Sequence, residues 1–270
     1  MAAPRRELGS ALKLDPGSST RIMNPLTPRS TRGAKPPPGG FCFFRDIVNL
    51  GDDVRLRRPR TRVYIDGFNF YYAAFRRARF QEYKWLDLVA FCKAALPRND
   101  VQLVRYFTAP LEPSRGRESQ RARQEAYLAA LRATPGLRTH YGQFVEHAKL
   151  QWLVDPPAHG PKKALVWVPE EKGSDVNLAA HLLVDGFAGK YEVAVVVSND
   201  ADLLEPVRLV RTVLGLPVGV LKVEGGQRAC VFAKQADFVR TVRRGHFAAA
   251  QLPPTITAAG DKIISKPREW

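Results

Sequence analysis

The run Tyr191-Glu192-Val193-Ala194-Val195-Val196-Val197-Ser198-Asn199-Asp200-Ala201-Asp202 constrains the fold more than any other part of this chain. Its apolar, mostly β-branched core has the composition of a strand buried on both faces, as in a parallel sheet. Two carboxylates spaced i, i+2 follow at once, at the strand's carboxyl end, where open α/β sheets place their ligands. Acids at a helix N-terminus, favoured by the macrodipole, explain the same pair equally well. The choice turns on whether other acids point at the same edge.

Further segments supply the rest of such a sheet. Arg62–Ile65 reads as a short buried strand ending in Asp66-Gly67-Phe68-Asn69, with Asn69 the expected cap of a helix over 70–79. Val101–Thr108, Leu137–Val145, Ala164–Val168 and Val218–Val223 read as strands, and His147–Pro161 as irregular. Helices are expected over Trp85–Leu96, Glu118–Thr134, Asp175–Phe187 with Ser174 as cap, Leu203–Leu214 and, briefly, Ala236–Arg240. This alternation predicts one α/β domain over 61–247, with helices on both faces of a mainly parallel sheet. Residues 1–60 read as a disordered basic Pro/Gly-rich N-terminal tail, and 248–270 as a loosely held C-terminal tail.

Charge narrows the partner. The 42 Lys and Arg against 26 Asp and Glu give +16. The first 60 residues hold 12 basic and 5 acidic side chains, so the excess is not confined to the tail. Such a balance favours a polyanionic partner such as nucleic acid or an acidic membrane surface. Cys42, Cys92 and Cys230 show no C-x-x-C spacing, which argues against a disulfide framework or structural zinc and suits a cytoplasmic protein. No apolar run reaches the ~18 residues of a membrane helix, so no membrane partner is expected.

Asp66, Asp175, Asp200 and Asp202 all fall at strand ends or helix starts. Clustered carboxylates repel one another, and a hard divalent cation, Mg²⁺ or Mn²⁺, is the usual remedy. Such ions activate water for phosphodiester hydrolysis, while basic side chains nearby hold the phosphates.

Three stretches carry a resemblance: Val63-Tyr64-Ile65-Asp66-Gly67-Phe68-Asn69, Glu171-Lys172-Gly173-Ser174-Asp175-Val176 and Val197-Ser198-Asn199-Asp200-Ala201-Asp202-Leu203. In this order they resemble the signature motifs of the NYN domain family, PIN-like proteins of which many are assigned as metal-dependent ribonucleases. The terminal Lys266-Pro267-Arg268-Glu269-Trp270 is similar to the ending of some bacterial members. The resemblance implies a three-layer PIN-like domain with strand order 3-2-1-4-5. It also implies a four-Asp catalytic and metal centre of Asp66, Asp175, Asp200 and Asp202, supported by Asn69, Ser198 and Asn199. Many members have an Asp six residues after the Asp175 position, where this chain has His181. Six helical residues turn His181 ~120° away from Asp175, so it is expected at the rim. Lys172 is a candidate phosphate contact, and Arg115, Arg117, Arg121 and Arg123 a candidate RNA-facing stripe.

The expected function is thus a metal-dependent ribonuclease working through metal-activated water. An RNA-binding module of the same type with little or no turnover is the alternative. A haloacid-dehalogenase phosphatase is disfavoured, because that chemistry needs an acid two residues after Asp66, where Phe68 stands.

Overall fold

The computed structural model describes residues 57–76, 80–111, 118–225, 230–232 and 234–270. The expected tail over 1–60 lies outside the described residues up to position 56. Strands β1 (Arg60–Asp66), β2 (Asp100–Thr108), β3 (Leu137–Tyr141), β6 (Val193–Val197), β7 (Val218–Val223) and β8 (Phe238–Val242) form one sheet in the order β3-β2-β1-β6-β7-β8. Every neighbouring pair in it is parallel. Chain order reverses between β1 and β6, and that switch point opens a crevice beyond the two carboxyl ends.

Alternation along the strands builds two cores. Val63, Ile65, Val195 and Val197 face one side, with α1 (Gly67–Ala74), α2 (Leu88–Ala95) and α6 (Arg244–Ala248) packed there. Tyr64, Ala194, Val196 and Val220 face the other side, against Leu178 and Leu182 of α4 (Ser174–Phe187) and Val207 and Val210 of α5 (Leu204–Thr212). The fold is therefore three-layered, with α3 (Glu118–Ala133) preceding the edge strand β3.

The sheet departs from the five-strand order 3-2-1-4-5 at two places. The segment expected as one strand over Leu137–Val145 breaks at Gly142, and β4 (Gln143–Trp152) leaves the sheet to pair antiparallel with β5 (Lys163–Lys172). A Cβ on Gly142 would lie 2.5 Å from the Lys172 carbonyl oxygen, so the close pass at the ribbon's base requires glycine. The stretch expected to be irregular is therefore strand up to Trp152 and irregular beyond it. Leu150, Trp152, Leu165 and Trp167 stand exposed along one face of the ribbon. At the other place, the short helix expected near Ala236–Arg240 is instead β8, the sixth strand. Its Phe238 pairs with Gly219, whose missing side chain makes room for the ring.

Residues 248–270, expected as a loose tail, are packed. β9 (Thr255–Thr257) and β10 (Ile263–Ser265) form a hairpin, and Leu252 and Ile264 are buried with Trp85 and Ala130. Trp85 Nε1 donates to the Pro253 carbonyl at 2.8 Å.

Beneath the sheet, Asp185 of α4 gathers three donors. Its carboxylate accepts from Tyr64 Oη at 2.8 Å, from Arg105 Nε and Nη2 at 2.8 and 2.9 Å, and pairs with Arg62 at 2.8 Å. Burial pushes this carboxyl up, but the hydrogen bonds from Arg105, Arg62 and Tyr64 more than offset that and hold it below the ordinary range. Removing the charge leaves two arginines without a partner. Asp185→Asn should cost about 3 kcal/mol in chemical denaturation at pH 7. Because the folded-state value is depressed, that stabilisation is present above the unfolded carboxylate's pKa, and the deficit should shrink as pH falls through the folded one.

Candidate active site

The two central strands deliver their following loops side by side. Asp66, the last residue of β1, is only 5% exposed. One of its oxygens accepts from Asn69 N at 3.0 Å, which caps α1. The cap is therefore Asp66 and not Asn69, because the helix starts three residues early, at Gly67. A Cβ at Gly67 would come within 2.6 Å of the Phe107 carbonyl oxygen and 2.8 Å of the Tyr106 ring, so only glycine lets the helix begin there.

The other Asp66 oxygen accepts from Ser198 Oγ at 2.8 Å, just past the end of β6. Ser198 Oγ in turn accepts from Asp200 N at 3.1 Å, and Asp200 accepts from Asp202 N at 3.0 Å. Asn69 Oδ1 accepts from Asn199 N at 3.0 Å, and Asn199 Oδ1 from Val231 N at 2.9 Å. Asn69, Ser198 and Asn199 thus tie the two loops into one piece.

The third contribution comes from the base of the ribbon. Glu171 near the end of β5 accepts from Ser174 N at 3.1 Å, doing the capping expected of the Ser174 side chain. Gly173 precedes α4 in the left-handed region at φ 95°, and Asp175 follows in the helix's first turn.

Electrostatics show these acids to be neighbours. Burial pushes the Asp175 carboxyl up to about 6, reinforced by Asp66, Asp200, Glu171 and Asp202. Asp66 is also raised, chiefly by burial, with Asp200 and Glu171 adding to it and the bonds from Asn69 and Ser198 opposing. Among the described residues none of these five carboxylates has an ion pair closer than 4.0 Å. Nor, among them, does any group of three His, Cys, Asp or Glu stand ready to hold a metal ion. Mg²⁺ typically keeps several waters and takes only one or two carboxylates. The hard oxygens and uncompensated charge fit such a hydrated ion.

The remaining expected residues lie elsewhere. Lys172 pairs with Glu170 at 2.9 Å, and Lys149 pairs with the same carboxylate. His181 packs on His140, ring centroids 4.1 Å apart, and on Phe107. Its pKa is lowered by burial first and then by Arg105, so it belongs with the Arg105–Asp185 network. Arg121 pairs with Glu125 and Arg123 with Glu269, while Arg115 and Arg117 lie outside the described residues. In the sequence Glu170 and Glu171 read alike, as surface residues either of which could supply a further ligand. Successive strand residues face opposite ways, which separates the two but does not say which of them turns inward.

Comparison with known proteins follows the same outline. The family model described as "NYN domain" matches residues 60–243. A relative from Pseudomonas putida (strain DSM 28022 / S16), 6-hydroxy-3-succinoylpyridine 3-monooxygenase HspA, is 33% identical over 239 residues, spanning 78% of this chain and 75% of that protein. A crystal structure of a protein of unknown function from Vibrio parahaemolyticus RIMD 2210633 aligns with a TM-score of 0.43 at 13% identity, over 75% of this chain and 100% of that one.

The repulsion at Asp175 is open to direct measurement. Its folded-state pKa is raised, so its ionisation opposes folding progressively as pH rises from the unfolded value towards about 6. Without divalent cation, Asp175→Asn should stabilise the protein at pH 7.5 by on the order of 1 kcal/mol, after discounting for solvent screening. Thermal unfolding should show little gain at pH 4.5, where the wild-type carboxyl is already protonated.

Proposed function

The chain belongs to the NYN domain family, and on that basis we propose that it is a metal-dependent ribonuclease hydrolysing RNA phosphodiester bonds, with Asp66, Asp175, Asp200 and Asp202 as its acidic centre. The observation that carries this reading is geometric: Asp66 at the end of β1 and Asp200 beyond β6 are joined through Ser198 Oγ, and neither carboxylate has a cationic partner among the described residues. A site meant only for stability would pair such charges, as Asp185 is paired.

Each residue has a part. Ser198 and Asn69 hold Asp66 by both oxygens, leaving further lone pairs of a buried carboxylate for a ligand. Asp200 is aimed by its bond from Asp202 N, and Asp175 and Glu171 close the site from the α4 side. Asp66, Asp175, Asp200 and Asp202 would hold Mg²⁺ or Mn²⁺ directly or through its waters, and the ion would supply Lewis acidity for activating water and offsetting charge on the leaving oxygen. The excess of +16 favours recruitment of the polyanionic substrate.

A second reading rests on the 33% identity to HspA over 75% of its length: oxygen-dependent hydroxylation of a pyridine-type ring. The two are separable with one preparation. Wild type with Mn²⁺ should cleave single-stranded RNA, and Asp200→Asn should lower kcat at least about 100-fold while retaining RNA binding. Binding of RNA with no metal-dependent cleavage by the wild type would sink the nuclease reading. Oxygen-dependent consumption of 6-hydroxy-3-succinoylpyridine with a reduced nicotinamide supplied would then favour the second.

A further inference from the structure

A cavity of about 570 Å³ lies between α1, β2, the ribbon and the C-terminal residues, within the size range of small-molecule sites. Gly67, the residue immediately after Asp66, belongs to its lining, so the cavity adjoins the acidic centre. Aromatic rings dominate its walls: Phe68, Tyr71 and Tyr72 of α1 on one side, Tyr106, Phe144 and Trp270 on the others. Phe68 meets Phe144 edge-on with centroids 5.6 Å apart, which joins helix to ribbon at this point.

Two features mark it as more than imperfect packing. Tyr71 and Tyr72 are 39% and 50% exposed although they line a concave surface, and Arg76 lies over the Tyr72 ring at 4.8 Å. Arg76 takes one face of Tyr72, so a ligand ring has the remaining exposed surface of Tyr71 and Tyr72 to stack on. Lys84 also lines the cavity, and no ion pair of it occurs among the described residues. Arg123, also in the lining, is committed to Glu269.

We propose that this cavity binds a planar nitrogen heteroaromatic ring bearing an anionic group, the ring stacked on the α1 tyrosines and the anion met by Lys84. A ring seated there stands beside the acidic centre. The same chemistry describes a nucleobase with its phosphate and a free carboxylated hydroxypyridine, so the site bears on substrate choice without depending on hydrolysis.

Calorimetric titration of the full chain tests this, using AMP and 6-hydroxynicotinate as ring probes and ribose 5-phosphate and succinate as ringless controls. At least one ring probe should bind clearly more tightly than the controls. Tyr72→Ala, at a half-exposed position, should weaken that binding about tenfold. Lys84→Ala should weaken AMP severalfold yet leave adenosine unchanged, since only the charged probe has a group for the ammonium to meet. Tighter AMP identifies a nucleobase subsite, and tighter 6-hydroxynicotinate a free-ring site. Ring probes no better than controls, or affinities within twofold of wild type in both variants, overturn the proposal. Asp200→Asn should leave ring binding intact, so a chain that binds rings but cleaves no RNA refutes the nuclease reading and spares the cavity.

Discussion

Parallel pairing of β1 with β6 is the constraint on which everything else depends. The register from Thr61 opposite Val193 to Ile65 opposite Val197 brings both strands to an end at the same level. Both are apolar on each face, so a one-residue slip would misplace two cores at once. With the ends level, Ser198 reaches Asp66 and Asn69 reaches the Asn199 backbone, and neither bond survives a shift of one strand along the other. The acidic centre is thus a consequence of sheet register.

Two charge systems flank that pairing, one around the buried Asp185 and one around the buried Asp66 and the half-buried Asp175. Asp185 is surrounded by Arg62, Arg105 and Tyr64, so its burial is compensated and its carboxyl stays ionised easily. Asp66 and Asp175 are held by hydrogen bonds but crowded by other acids, so ionisation is opposed. The first system knits α4 to the sheet. The second gathers carboxyl groups at a crevice with no cationic partner among the described residues.

Gly67 and Phe68, next in sequence to Asp66, line the aromatic cavity, while none of the five carboxylates does. One short helix therefore serves two surfaces: its first turn is capped by Asp66, and its outward tyrosines line the cavity.

Much of this was legible in the chain itself. An apolar run that stops at acids dictates a buried strand with carboxylates at its carboxyl end, because apolar burial and strand polarity are local properties. That reasoning points to Asp66, Asp175, Asp200 and Asp202 as candidates, and the ordered motifs add Asn69, Ser198 and Asn199 as their supports. Of the ribbon, β5 is legible over Ala164–Val168, whereas β4 is not, since none of its residues is fully buried. Phe238 was taken for helix because its strand depends on the gap at Gly219, a residue distant in sequence. The packing of the last residues on Trp85, the choice of Glu171 over Glu170 and the cavity walled by α1, ribbon and Trp270 were decided only in three dimensions. The sequence alone determined which residues could serve and at which strand ends. Tertiary structure decided which of them meet, because meeting depends on register and on space left by distant side chains.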